Sequence, residues 1–335
     1  MTIKVVALGL DHRHIYGMLH NICAAGAACV GYWTDGEPNT LPGFLKRFPA
    51  THRFDALEDA LSAGADLALI SAIPGDRAAL SIRAMDAGLD VMVDKPGCTT
   101  REQLNEIRAC VSRTGRIWSI NFSERVETPC STLATKLVAD GEIGTVVQTV
   151  GLGPHRLNRA TRPDWFFQRQ RYGGILTDLA SHQIDQFLHY TGARDSKVVD
   201  AFVANRGNPQ DPELQDFGEL TLRSEKASGY IRVDWFTPDG LPTWGDGRLT
   251  ILGTEGYIEL RKYVDVGGKP GTDHVLLVNG SRAELIDGSG AGLPYFERLV
   301  CDVQDRTETA MAQSHCFEVM SLALDAQEIA ESAFQ

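Results

Sequence analysis

Apolar positions along the chain come in two textures. Over the first third, short apolar runs alternate with segments whose apolar residues recur every three or four positions. Residues 4–8 predict a buried strand, and Ile15, Met18, Leu19 and Ile22 then share one helical face that Gly26 closes. Residues 29–33 predict a second strand. A helix is expected over 54–63, a buried strand over 67–72 ending at Ile73-Pro74, and a helix over 77–87 stopped by Gly88. The series continues with a strand at 91–93, a helix at 100–114 and a strand at 117–121. Strands alternating with helices of this length predict an α/β fold, a parallel, doubly wound sheet of Rossmann type.

After Gly144 the texture changes. A helix over 130–140 precedes strands at 146–150, 198–204, 217–223, 229–236, 249–252 and 257–261. Few helices separate them, so hairpins in a large, mainly antiparallel open sheet are expected, an α+β arrangement. Helices follow at 294–305 and 307–332. The expected organisation is a dinucleotide-binding domain over residues 1–122 and a substrate-binding and oligomerisation domain over 123–335.

Composition narrows the function classes. The chain has 335 residues, 43% hydrophobic and 23% charged, with a formal net charge of -12 and a pI near 5.2. That balance argues against nucleic acid and anionic membrane surfaces as partners. No apolar run reaches membrane-spanning length. Seven cysteines show no C-x-x-C pair, and no export signal is apparent, so reduced thiols and a cytoplasmic location are expected.

Candidate chemistry concentrates at strand ends. The strand at 91–93 runs straight into Asp94, Lys95 and Pro96. The carboxyl end of a buried parallel strand is where α/β enzymes place ligands. A lysine there is a hydrated cation whose pKa shifts readily. Asp94 can hold its charge, and a cis Lys-Pro bond is open to it. Thr99 is expected to cap the next helix, with Glu102 completing a capping box. Lys95 shares its crevice with Gly9, Ile73 and Asn121, which also follow strand ends.

Gly9-Leu10-Asp11-His12-Arg13-His14 joins the first strand to the first helix, and Asp35 follows the second strand. This is the layout of a dinucleotide-binding unit, whose acidic residue takes the ribose hydroxyls. Only the first glycine of the G-x-G-x-x-G fingerprint remains; Asp11 and His14 stand at the other two positions. An ordinary βαβ unit with Asp11 capping its helix is the competing reading.

The second half carries one chemically unusual helix. It opens at Gly173-Gly174-Ile175 and bears Asp178, His182, Asp185 and His189. Asp178 and His182 are four apart and share a face. Acid–base catalysis by His182 with Asp178 as orienting partner is preferred over a metal site, and no metal is expected. Nearby, His155, Arg156, Arg159 and Arg162 crowd one segment, with Trp165 following. Binding of an anionic or hydroxyl-rich substrate and an inter-subunit salt-bridge cluster explain that crowd equally well.

Taken together, these residues resemble a known family. Ala87 to Pro96, A-G-L-D-V-M-V-D-K-P, is similar to the A-G-k-h-V-l-v-E-K-P signature of the glucose–fructose oxidoreductase and inositol dehydrogenase family, Gfo/Idh/MocA. Ile73-Pro74, Ile120-Asn121, the Gly141–Gly144 turn, Gly173-Gly174 through Asp178 and His182, and Thr254-Glu255-Gly256 fall where that family has counterparts. The resemblance implies a nicotinamide cofactor and hydride transfer at a hydroxyl or carbonyl carbon of a sugar, polyol or sugar acid. Carried over, Lys95, Asp178 and His182 become the catalytic set. Gly9 through His14, Asp35, Ile73, Pro74, Asp94, Lys95 and Asn121 line the cofactor. His155, Arg156, Arg159, Arg162 and Trp165 join the catalytic set around a sugar-like substrate. Asp35 favours NAD over NADP, because a carboxylate repels a 2′-phosphate. The resemblance also implies homodimers or homotetramers through the second-domain sheet. Two other readings stay open: NAD-dependent glycoside cleavage by transient oxidation, and a non-catalytic ligand sensor.

Overall fold

Residues 2–332 are described in a computed structural model. The chain divides into two units. One comprises Met1–Asn121, Pro163–Gly173 and Pro294–Met320; the other comprises Phe122–Arg162, Gly174–Leu293 and Ser321–Gln335. The first crossing lies within one residue of the expected boundary, and two later segments also build the first unit.

The first unit begins β1 (Lys4–Leu10), α1 (Ile15–Ala24), β2 (Ala28–Trp33), α2 (Leu41–Arg47), α3 (Leu57–Leu61) and β3 (Leu67–Ser71). It continues with α4 (Arg77–Asp86), β4 (Asp90–Asp94), α5 (Arg101–Thr114) and β5 (Trp118–Asn121). All five strands are parallel, in the order β2-β1-β3-β4-β5. A single parallel bridge, Tyr32 to Arg53, extends the sheet beyond β2. The strand order reverses between β1 and β3, the place where ligands bind in such sheets.

Two local expectations need correction. The helix expected over 54–63 is the short α3. Tyr32 bonds His52 and Phe54 through its backbone, both at 2.8 Å, which commits that segment to sheet pairing. The cap of α5 is Thr100, one residue later than expected. Its side chain accepts from the Gln103 amide, and Gln103 Oε1 reaches back to the Thr99 amide at 2.8 Å. Gln103 thus takes the place given to Glu102, but its side chain returns the bond to Thr99, the residue before the cap, so half of a capping box is formed.

The second unit holds α6 (Ser123–Val126), α7 (Pro129–Ala139) and β6 (Val146–Pro154). The chain then forms α8 (Arg169–Tyr172) in the first unit and returns through α9 (Ser181–Thr191). Seven strands follow: β7 (Lys197–Ala204), β8 (Phe217–Arg223), β9 (Ser228–Asp234), β10 (Arg248–Gly253), β11 (Gly256–Arg261), β12 (His274–Asn279) and β13 (Ala283–Asp287). With β6 they form one sheet, ordered β13-β12-β11-β10-β6-β9-β8-β7. Every pairing is antiparallel except β6 with β9. Strict alternation buries Leu220, Ile231, Val233, Leu249, Ile251, Ile258 and Leu260 on one face. The inner face at β10–β12 packs with Cys130, Ala134 and Leu137 of α7 and Tyr190 of α9 into a continuous apolar cluster. β12 and β13 escaped the sequence reading.

Two helices close the chain, α10 (Pro294–Asp305) and α11 (Gln313–Ser332). The last was expected from residue 307. Asp302 instead gathers the Thr307 and Thr309 hydroxyls and the Thr309 and Ala310 amides at 2.6–2.8 Å, holding a loop ahead of it. In the first unit, Gln313 accepts from the Trp118 amide and Phe317 stacks on the Trp118 ring. No described helix is long and apolar enough to cross a membrane. All seven cysteines are free thiols.

Candidate functional site

In the first unit, the expected residues do follow carboxyl ends of strands. Gly9 and Leu10 end β1, Ile73 and Pro74 follow β3, Asp94 ends β4 with Lys95 next, and Asn121 ends β5 opposite Asp94. Gly9 has φ +70°, and a Cβ there would lie 2.6 Å from the Ala72 Cβ. Only glycine lets the turn press so closely on the chain leaving β3. Leu10 is tied down as well, its amide donating to Thr34 Oγ1 at 3.2 Å and its carbonyl accepting from the Thr40 hydroxyl.

Asp11 does not cap α1. The N-cap position is His14, whose side chain makes no capping bond. The Asp11 carboxylate accepts from the Ile73 backbone instead. Burial, only partly opposed by Arg77, raises its pKa to about 6; neighbouring Asp76 and Asp35 add to the rise. Asp35 stands exposed just past β2.

Asp94 is the hub of this region. Its Oδ1 lies 2.7 Å from His14 Nδ1, and its Oδ2 accepts from Arg77 at 2.9 Å and Ser71 at 3.3 Å. Burial alone would raise its pKa; the Arg77 guanidinium and the His14 and His12 imidazoles overcome that and hold it well below the usual carboxylate range. His12 Nδ1 is also 2.7 Å from Oδ2, although it lies off the line a hydrogen bond requires. Burial pushes the His12 pKa down to about 3 despite that carboxylate, so the ring is neutral at pH 7. Arg77, wholly buried, also donates to the backbone carbonyls of Ala72, Asp94, Lys95 and Pro96. It thereby fixes the turn that presents Lys95, whose bond to Pro96 is cis. Lys95 itself is 3% exposed.

His12, His14 and Asp94 bring ligand atoms within 4.8 Å of one another, a grouping that could in principle hold a metal ion. The Arg77 guanidinium already sits on the same carboxylate oxygen, and a fixed cation there opposes a dication.

In the second unit, the helix carrying Asp178 and His182 is not a regular α-helix. Leu176–Ala180 form a π-helical turn that runs into α9. Such turns are rare and recur at functional sites. Asp178 lies on that turn and His182 on the first turn of α9, both buried. The Phe122 ring meets the His182 ring edge-on, with centroids 6.5 Å apart. The other two ionisable groups of this stretch serve the fold. Asp185 takes a two-pronged bond from Arg125 at 2.6 and 2.7 Å, and His189 Nε2 meets Thr135 Oγ1 at 2.8 Å.

The arginine segment is also engaged internally. Arg156 donates to the Pro238 and Leu241 carbonyls, and Arg159 grips Asp211 with two bonds of 2.7 Å. Arg162 donates to the Leu157 carbonyl and lies over the Trp235 ring. These contacts tie each guanidinium into the fold of the second unit. His155 packs between Trp235 and Trp244. Trp165 belongs to the first unit, beside Phe166.

Among the buried charges that sequence reasoning missed are Arg77, Glu124 and Lys262. Lys262 carried a signal. It continues the inward parity of Ile258 and Leu260, so the β11 pattern aims a lysine at the core.

Comparison with known proteins gives a consistent picture. A family model described as the GFO/IDH/MocA C-terminal domain matches residues 132–259. A proposed oxidoreductase of known structure from Erwinia carotovora atroseptica SCRI1043 is 44% identical, with a TM-score of 0.94 over 98% of this chain and 99% of that one. The scyllo-inositol 2-dehydrogenase (NAD(+)) of Bacillus subtilis (strain 168) is 24% identical over 76% of this chain and 72% of its own length. The oxidoreductase YdgJ of Escherichia coli (strain K12) is 33% identical over 36% of this chain, a match spanning 34% of that relative's length.

Proposed function

The chain belongs to the Gfo/Idh/MocA oxidoreductase family, and from that premise we propose that it is a nicotinamide-dependent dehydrogenase acting on a hydroxyl or carbonyl carbon of a sugar, polyol or sugar acid. The observation that carries this reading is the first unit's row of strand ends. Gly9, Ile73, Asp94, Lys95 and Asn121 all lie at or just past carboxyl ends of a parallel sheet, and Gly9 is pressed against Ala72 as a dinucleotide turn requires. The B. subtilis relative, by name an NAD(+)-dependent inositol dehydrogenase, supports both the cofactor and the substrate class.

The residues present fit a dinucleotide, with one alteration. Gly9 keeps the close turn, and no side chain caps the α1 N-terminus, whose Ile15 and Tyr16 amides donate to the His12 and Arg13 carbonyls. Asp11 and His14 replace the later glycines, and Asp11 is drawn toward Ile73 instead of the helix amides. The exposed Asp35 suits the ribose hydroxyls and disfavours a 2′-phosphate, so NAD is the preferred cofactor. When bound, the nicotinamide accepts or supplies the hydride.

The chain's own residues supply position and proton transfer. His182 takes the hydroxyl proton in the oxidative direction and returns it in the reductive one. Asp178 orients the imidazole or the substrate. Lys95 binds the reacting oxygen and stabilises charge developing there. Lys95→Ala and His182→Ala should each lower turnover by about 10²–10⁴ with folding intact. Near-normal turnover in His182→Ala would remove it from the mechanism.

A further inference from the structure

Within the second unit, a buried ion pair stands behind the helix that bears His182. Glu124 on α6 and Lys262 just after β11 are 2% and 1% exposed, with Nζ 2.9 Å from Oε2. Burial of this kind is costly unless both charges are fully satisfied. Two glutamines of α9 complete the set. Gln183 Nε2 donates to Glu124 Oε2 at 2.9 Å, and Gln186 Oε1 accepts from Lys262 Nζ at 2.8 Å. Gln186 Nε2 turns back and donates to the His182 carbonyl at 2.9 Å. The residue after His182 is thus bolted to the carboxylate, and the backbone of His182 is bolted, through Gln186, to the ammonium.

Strand β6 makes room for this arrangement. A Cβ at Gly151 would lie 2.7 Å from Gln183 Cγ, and one at Gly153 would lie 2.8 Å from Gln183 Nε2. Two glycines on one face of a strand are otherwise a cost to the sheet. They let α9 lie close enough for Gln183 to reach Glu124.

The charge of the pair is not wholly cancelled locally. Glu124 Oε1 is buried and accepts no hydrogen bond from the described residues. Burial would raise the Glu124 pKa, yet Lys262, then His182 and His155, bring it down to about 2. The carboxylate therefore stays ionised and in electrostatic reach of both imidazoles. On the elements packed with α9 in this unit, charged or titratable groups include Asp178 on the preceding turn, Arg125 on α6 and Asp234 on β9, with Asp185 on α9 itself.

We propose that the buried Glu124–Lys262 pair is a positioning device for His182, fixing the first turn of α9 through Gln183 and Gln186 and setting the imidazole's proton affinity by the balance of its two charges. Its catalytic consequence rests on His182 being the base proposed above; its electrostatic core does not. Removing the negative member leaves an ammonium that opposes protonation of the imidazole. Removing the positive member leaves a carboxylate that favours it. The two changes must therefore act in opposite directions, which a scaffold role does not demand.

The test is a histidine NMR titration of the full-length protein, with the His182 resonance identified by its loss in His182→Gln. Glu124→Gln should lower the His182 pKa and Lys262→Met should raise it, each by about half a unit or more. Glu124→Asp, which keeps the charge, should restore most of the wild-type value and guards against a Glu124→Gln variant that does not fold. Thermal unfolding of each variant reports folding separately. Shifts of the same sign, or no shift in folded variants, overturn the proposal. Turnover in His182→Ala judges the catalytic reading on its own: normal turnover there with opposite shifts here would sink the base assignment and leave the pair's electrostatic role standing.

Discussion

At the scale of single residues, Asp11 decides how the cofactor turn behaves. Its pKa near 6 lies above the ordinary 3.8. A carboxyl raised in the folded state contributes stability below about pH 3.8, and that contribution is lost as pH rises through 6. At neutral pH the ionised group also adds negative charge to the turn between β1 and α1, which a pyrophosphate would approach. We expect NAD to bind more tightly at pH 5.5 than at pH 8, and Asp11→Asn to flatten that dependence and tighten binding at pH 8 by about 1–3 kcal/mol. Calorimetry at the two pH values checks both; tighter binding at pH 8 in the wild type would refute the electrostatic argument. Lys95 was legible in sequence because a strand runs into charge without a polar transition. Arg77 was not, because an arginine opening a helix looks like any solvated first-turn residue. Only the fold shows that it faces four backbone carbonyls and Asp94.

At the scale of elements, periodicity placed every strand but β12 and β13 and most helices, and missed where polar side chains redirect the backbone. Helix α5 was found, while its cap moved from Thr99 to Thr100, whose side chain accepts from the Gln103 amide. Thr100→Ala should cost about 1 kcal/mol, the usual value of an N-cap, and lower the melting temperature. An unchanged melting temperature would mean that tertiary packing, not the cap, starts the helix. The start of α11 slipped for a related reason: Asp302 organises the loop before it through hydrogen bonds that no apolar pattern records. The π-helical turn at Leu176–Ala180 was illegible too. Its residues keep a helical pattern, and one extra residue in a turn leaves no compositional mark. Strand β12 was lost because the glycine- and proline-containing segment before it broke the alternation.

At the scale of the whole molecule, the second unit's sheet has one face that its helices do not cover. Tyr230, Leu252 and Tyr257 are exposed there, interspersed with Glu219, Arg232 and Glu259. An apolar stripe among charges suits a second copy of the chain. We expect a dimer or tetramer in sedimentation at micromolar concentration and smaller species in Leu252→Asp; a wild-type monomer would refute the claim. The central claim is the dehydrogenase itself. Its most direct test is formation of reduced nicotinamide by the purified protein with NAD across a panel of polyols, sugars and sugar acids. The account predicts NADH with at least one member of that panel, lost in His182→Ala. Absence of NADH and NADPH with every member, together with no binding of NAD or NADP at millimolar concentration, would contradict it.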